Sequence, residues 1–245
     1  MATPAVGGVA PGSVPSAQGL PAYAELHCRS NFTFLTGASH PEELVARAHE
    51  LGYTALAVTD ECSLAGVVRA HGQAKRLGLH LIVGAEMRLA PSAAGGCPGP
   101  RLVLLAQSRR GYGNLAQWIT VARRRAEKGC YSALASDVEG RVPHAPYLAG
   151  LPDCLALMVV DAALPFETQF ALAMWLKTWF GVDRAALVVE LLHRAHDAAC
   201  VESAERLAAL TGLPLVAAGD EQRVETAQRV AEVCALPLAA AGDVR

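Results

Sequence analysis

Seven short apolar runs recur between Tyr23 and Ala218, and several of the stretches between them carry apolar residues at helical spacing. The runs are Tyr23 to His27, Ala55 to Thr59, Leu79 to Met87, Leu102 to Ala106, Cys154 to Val160, Ala185 to Leu192 and Pro214 to Ala218. Each has the length and bounding residues of a strand. Pro41 to Leu51 places Leu44, Val45, Ala48 and Leu51 on one face, and Ser63 to Leu77 reads as a second helix. Pro41 suits a first helical turn, and Gly52 and Gly78 stand where a left-handed residue ends a helix. Strands alternating with helices through right-handed crossovers imply a mostly parallel sheet covered by helices, either an α/β barrel or a doubly wound sheet.

Composition narrows the setting. No apolar stretch approaches the roughly 18 to 20 residues that a membrane-spanning helix needs. No Lys or Arg precedes Arg29, so a basic targeting segment is not expected and the chain is assigned to the cytoplasm. The seven cysteines form no C-x-x-C pair, which speaks against a disulfide framework or a zinc clasp. A net charge of −2 speaks against a domain that grips nucleic acid by itself. Arg123, Arg124, Arg125 and Lys128 form the one basic cluster, at the end of an expected helix where cations complement carbonyls and the helix dipole.

Residues 1–20 have no charge and no periodicity, and are expected to form a disordered leader. Pro91 to Pro100 reads as a surface loop, and Gly129 to Pro152 as an irregular connection with one short helix. Near the end, Val201 to Asp220 recurs as Val224 to Asp243, with 12 of 20 residues identical at an offset of 23. Each copy is one helix and one strand ending in Gly-Asp. The first copy, with Leu213 to Ala218, is expected to be the barrel strand and the second peripheral, because a closed barrel has a fixed strand number.

In parallel α/β folds chemistry collects at the carboxyl ends of strands. Those ends carry His27, Asp60 with Glu61, Glu86, Glu190 with His193, Asp220 and Asp243. Imidazole and carboxylates converging from several strands are what a hydrolytic metal centre uses. A strand-terminal Asp such as Asp60 also commonly caps the next helix.

The stretch from Ala24 to Leu89, with T-D-E-C-S-L-A-G-V and G-A-E, followed by Y-G-N-L-x-x-x-I-T-x-A-R-R-R, closely resembles the N-terminal polymerase and histidinol phosphatase (PHP) domain of bacterial C-family DNA polymerases, in particular the error-prone branch. The resemblance covers residues 21–245 as one domain, with a duplicated unit at 201–243. It implies a distorted (β/α)7 PHP-type barrel at the start of a longer translesion polymerase that uses magnesium, with DNA, a sliding clamp and mutagenesis accessory proteins as partners. It also implies remnant metal positions at His27, Asp60, Glu86, Asp220 and Asp243. The family's H-x-H-S reads His27-Cys28-Arg29-Ser30, its Asp-Gly reads Thr36-Gly37, its T-D-H reads Thr59-Asp60-Glu61, and Arg101 stands where metal-binding members tend to carry His. Its D-x-H has no His in either repeat copy. Guanidiniums in place of imidazoles put permanent positive charge where a cation should sit, and are expected to pair with Asp60, Glu61 and Glu86 instead. A non-catalytic structural platform is therefore expected to bind no cofactor itself. The alternative is a metal-dependent phosphoesterase or 3'-5' exonuclease.

Overall fold

The computed structural model describes residues 23–91, 99–191 and 197–219. The leader, His193, Asp220, the second repeat copy with Asp243, and most of the Pro91 to Pro100 loop lie outside these described residues.

All seven expected strands form, with ends within about two residues of those read from the sequence: β1 Ala24–Cys28, β2 Ala55–Val58, β3 His80–Arg88, β4 Arg101–Ala106, β5 Cys154–Val159, β6 Ala185–Leu191 and β7 Leu215–Gly219. They are ordered β1 to β7 in one sheet. β7 approaches β1 without a ladder of hydrogen bonds between them among the described residues, so the barrel is nearly closed. The first repeat copy supplies β7, which pairs in parallel with β6.

The direction of one strand departs from a uniformly parallel arrangement. β4 runs antiparallel to both β3 and β5, while the other neighbouring pairs are parallel. The β3–β4 connection contains no helix among its described residues, and a parallel return needs a long crossover, usually through a helix. The consequence for the site is direct. The start of β4, Arg101, lies at the same end of the barrel as the carboxyl ends of the other strands, opposite Arg88 on β3 and Val159 on β5.

Strand alternation builds two apolar layers. Val103, Leu105, Leu157, Val159, Ala186, Val188, Val216 and Ala218 pack together inside the barrel. Their neighbours in sequence, among them Leu102, Leu104, Met158 and Leu187, face outward onto the helices α3 (Arg109–Arg125), α5 (Phe166–Phe180) and α6 (Asp197–Thr211). The helices α1 (Pro41–Glu50) and α2 (Val67–Leu77) cover β2 through Val45, Ala48, Ala70 and Ala74. α2 begins at Val67, four residues later than Ser63.

The 129–152 connection contains two short helices, α4 (Ala135–Val138) and a 3-10 turn (Pro146–Leu148), and buries Val138, Leu148 and Leu151 in the outer core. Trp118 is fully buried there, and its indole N–H donates to Asp137 at 3.0 Å. Two members of the basic cluster at the end of α3 have structural partners: Arg125 pairs with Asp137, and Arg123 donates two bonds to the Cys62 carbonyl.

The G-Y-G-N segment opens α3, with Ser108 as N-cap accepting from the Gly111 N–H. A methyl group on Gly111 would stand 1.9 Å from the Asp153 carbonyl oxygen. Gly111→Ala is therefore expected to destabilise the domain by about 1–3 kcal/mol, the usual range for overpacking. Urea unfolding checks this, and an unchanged midpoint would show that the contact relaxes freely.

Candidate functional site: an ion-paired barrel mouth

Strand parity selects which side chains reach the mouth of the barrel. On β4, Arg101 shares the inward parity of Val103 and Leu105, and on β6, Glu190 shares that of Ala186 and Val188. Glu86 lies between Ala85 and Met87, which face the outer core, and so turns inward as well. His27 is delivered by an irregularity. The register of β1 on β2 shifts between Glu25 and Cys28. With Leu26 packed on the inner layer, simple alternation would send its neighbour outward, and a bulge of this kind re-aims a side chain.

These four residues form one network. His27 Nε2 is 2.7 Å from Glu86 Oε2, and His27 Nδ1 is 2.9 Å from Glu190 Oε1. Arg101 grips Glu190 with both terminal nitrogens, at 3.1 and 2.5 Å, and its Nη1 stands 3.8 Å from Glu86. Arg29 Nη1 lies 3.8 Å from the same Glu86 oxygen. The side chains of His27 and Glu86 are each only 2% exposed. Burial opposes charge on His27, but hydrogen bonds to Glu190 and Glu86 outweigh it and push its pKa up to about 9. Burial likewise opposes charge on both carboxyl groups, yet His27 and Arg101 hold them below the usual carboxylate range. Arg101 is pushed upward by Glu190 and Glu86 against its burial.

Asp60 is buried beside this network but is not part of it. Its carboxylate accepts from the Ser30 N–H, the Ser30 hydroxyl and the Thr33 hydroxyl, each at 2.7 Å. Asp60 thus fastens the loop after β1. Glu61 accepts from the Tyr131 hydroxyl at 2.7 Å. The expectation that the introduced guanidiniums pair with Asp60 and Glu61 is therefore corrected: Ser, Thr and Tyr hydroxyls satisfy those two. Of the three named carboxylates only Glu86 meets Arg29 and Arg101, and the principal partner of Arg101 is Glu190. Glu190 was visible as a strand-end carboxylate. Its pairing was not, because it depends on the reversed direction of β4.

His27, Asp60 and Glu86 carry donor types that hold divalent ions, so their remaining capacity matters. Each ring nitrogen of His27 faces a carboxylate oxygen. An imidazolium donating both N–H groups has no lone pair for a metal. Asp60 already accepts from three donors on the β1–α1 loop, and two guanidiniums stand near Glu86. This donor set does not fit a bound cation. Among the described residues no group of His, Cys, Asp and Glu is arranged to hold one. Asp220 and Asp243 lie outside the described residues. A cavity of about 460 Å³ lies beside the network, lined in part by His27, Arg29, Thr36, Ser39 and Glu190.

The PHP domain family matches residues 25–187. The chain is 50% identical over 200 residues to an error-prone DNA polymerase of Bordetella parapertussis, a match covering 82% of this chain and 19% of that protein. It is equally similar to an error-prone DNA polymerase of Ralstonia nicotianae, over 202 residues, 82% of this chain and 18% of the relative. The chain thus spans roughly one fifth of the length of these curated relatives. A structure from Bifidobacterium adolescentis described as a metal-dependent phosphoesterase shares the fold, with a TM-score of 0.51 at 16% identity, covering 81% of this chain and 87% of that one. No helix among the described residues is long and apolar enough to cross a membrane.

Proposed function

This chain belongs to the PHP domain family, and from that premise we propose that it is a non-catalytic platform within an error-prone, DNA-directed DNA polymerase. The rest of such an enzyme supplies template-directed, magnesium-dependent nucleotide addition across damaged DNA, in the cytoplasm, with DNA, a sliding clamp and mutagenesis accessory proteins as partners. Half of all aligned positions being identical to such polymerases supports the assignment to that branch.

The observation that carries the non-catalytic reading is His27, whose two ring nitrogens both face carboxylates while Arg101 and Arg29 each stand 3.8 Å from Glu86. A metal-activated water needs a cation held with an open position, and opening one here means breaking several buried ion pairs. His27, Asp60 and Glu86 act instead as structural residues at the old ligand positions.

The test is direct. The isolated chain is expected to leave 3'-labelled oligonucleotides intact in magnesium, manganese or zinc, and to melt at the same temperature with and without EDTA. Metal-dependent trimming of the 3' end that Asp60→Ala abolishes would establish the phosphoesterase or exonuclease reading in its place. A melting temperature lowered by EDTA would likewise count against the platform.

A further inference from the structure

The loop between β1 and α1 is firmly held and yet shows apolar side chains to solvent. Asp60 fastens Ser30 and Thr33, the Asn31 N–H donates to the Ser39 carbonyl at 2.8 Å, and the Thr33 carbonyl accepts from the N–H groups of Thr36 and Gly37. The loop is also tightly packed: a methyl group on Gly37 would stand 1.9 Å from the Ser30 carbonyl oxygen. On this frame Phe34 is 84% and Leu35 92% exposed, with Leu35 at φ 63°, a left-handed backbone disfavoured for such a side chain. The ring of Phe32, partly exposed, lies against the residue before α2, where a methyl on Gly66 would stand 3.3 Å from it. Val68, two residues further, is 80% exposed. Four of the nine large exposed apolar side chains among the described residues therefore belong to this corner, and none of the four joins a core cluster.

We infer that this corner, led by Phe34 and Leu35, docks into an apolar pocket on the remainder of a longer polymerase chain. The inference rests on the platform reading above. The matched region is about one fifth of the relatives' length, so most of each relative's polypeptide lies outside it and is covalently tethered to it. Tethering raises the effective concentration of a partner to the millimolar range, where a small apolar knob suffices. A free dimer of this chain needs on the order of 1,200 Å² or more of buried surface, beyond what a few side chains supply. Stacked nucleobases suit aromatic residues interleaved with free cations. Here the nearby guanidiniums are engaged, Arg69 with Glu42 and Arg29 towards Glu86.

The experiment places residues 23–219 in a full-length polymerase, replacing the matching segment of the Bordetella relative, and compares hydrogen exchange across Asn31 to Gly37 with that in the isolated chain. Exchange is expected to slow at least tenfold in the full-length protein, without DNA, and the slowing is expected to vanish in the double variant Phe34→Ser, Leu35→Asn. Asn tolerates the left-handed backbone, so the isolated variant should melt like its parent. Equal exchange in both settings, with primer extension intact, overturns the docking surface and leaves the platform reading standing. Slowing that requires DNA, or that appears in the isolated chain as its concentration rises, overturns it in favour of nucleic acid or a second copy. Loss of primer extension on grafting the parent segment overturns the platform reading itself.

Discussion

Replacing Glu190 by alanine should destabilise the domain by about 3–5 kcal/mol, the range for breaking a buried ion pair by removing one partner. Glu190 takes both terminal nitrogens of Arg101 and the Nδ1 of His27, so its removal leaves the buried His27 and the partly buried Arg101 with Glu86 as their nearest remaining carboxylate. Glu190→Gln keeps the shape and one acceptor, and should lose less. Chemical denaturation of the two variants against the parent measures this. A Glu190→Ala protein as stable as the parent would mean that the guanidinium and imidazole are solvated, contrary to the buried network described above.

Raising the pH should weaken the fold in a window that belongs to His27. Its pKa rises from 6.5 to about 9 on folding, so its contribution is complete below about pH 6.5 and is lost as pH climbs through 9. The shift corresponds to a loss on the order of 3 kcal/mol. Glu86 and Glu190 act in the opposite direction. Their pKa values fall below the usual carboxylate range, so their contribution is complete above about pH 4.5 and is lost on acidification. Burial pushes the Cys62 and Cys154 thiols up to about 11 and about 12, which adds a further loss only above pH 9. Stability should therefore peak between about pH 4.5 and 6.5. The decline from 6.5 to 9 should flatten in His27→Gln, as denaturation midpoints across the pH range will read. A decline of equal steepness in that variant would assign it to other groups.

The seven strands were legible because each is a short apolar run bounded by turn or helix residues, and the inner and outer layers follow from period-two alternation. The mouth of the barrel was less legible. Arg101 and Glu190 are 89 residues apart, and nothing local links them; they meet because β4 runs backwards. That reversal had a sequence signal in the Gly- and Pro-rich Pro91 to Pro100 stretch, which is too short and irregular to carry a helical crossover. His27 reaches the interior through a register shift in β1, and a bulge cannot be read from an apolar pattern. The satisfaction of Asp60 by Ser30 and Thr33 was likewise hidden, since hydroxyls follow no charge-pairing rule. The resemblance to metal-binding relatives drew attention to His27 and Glu86, but only the geometry shows their ion-pair partners. The same holds for Arg123, whose place at a helix end was foreseen while its acceptor, the Cys62 carbonyl in a left-handed turn at φ 46°, was not.

The protonation state of His27 decides whether this mouth is an ion-paired structure or a metal centre. Nitrogen-15 NMR of the imidazole at pH 7 reads it directly, with and without stoichiometric zinc or manganese. The expected result is a doubly protonated ring that titrates near pH 9 and whose signals do not respond to metal. A neutral ring with one unprotonated nitrogen, whose resonance shifts or broadens when the metal is added, would contradict the account.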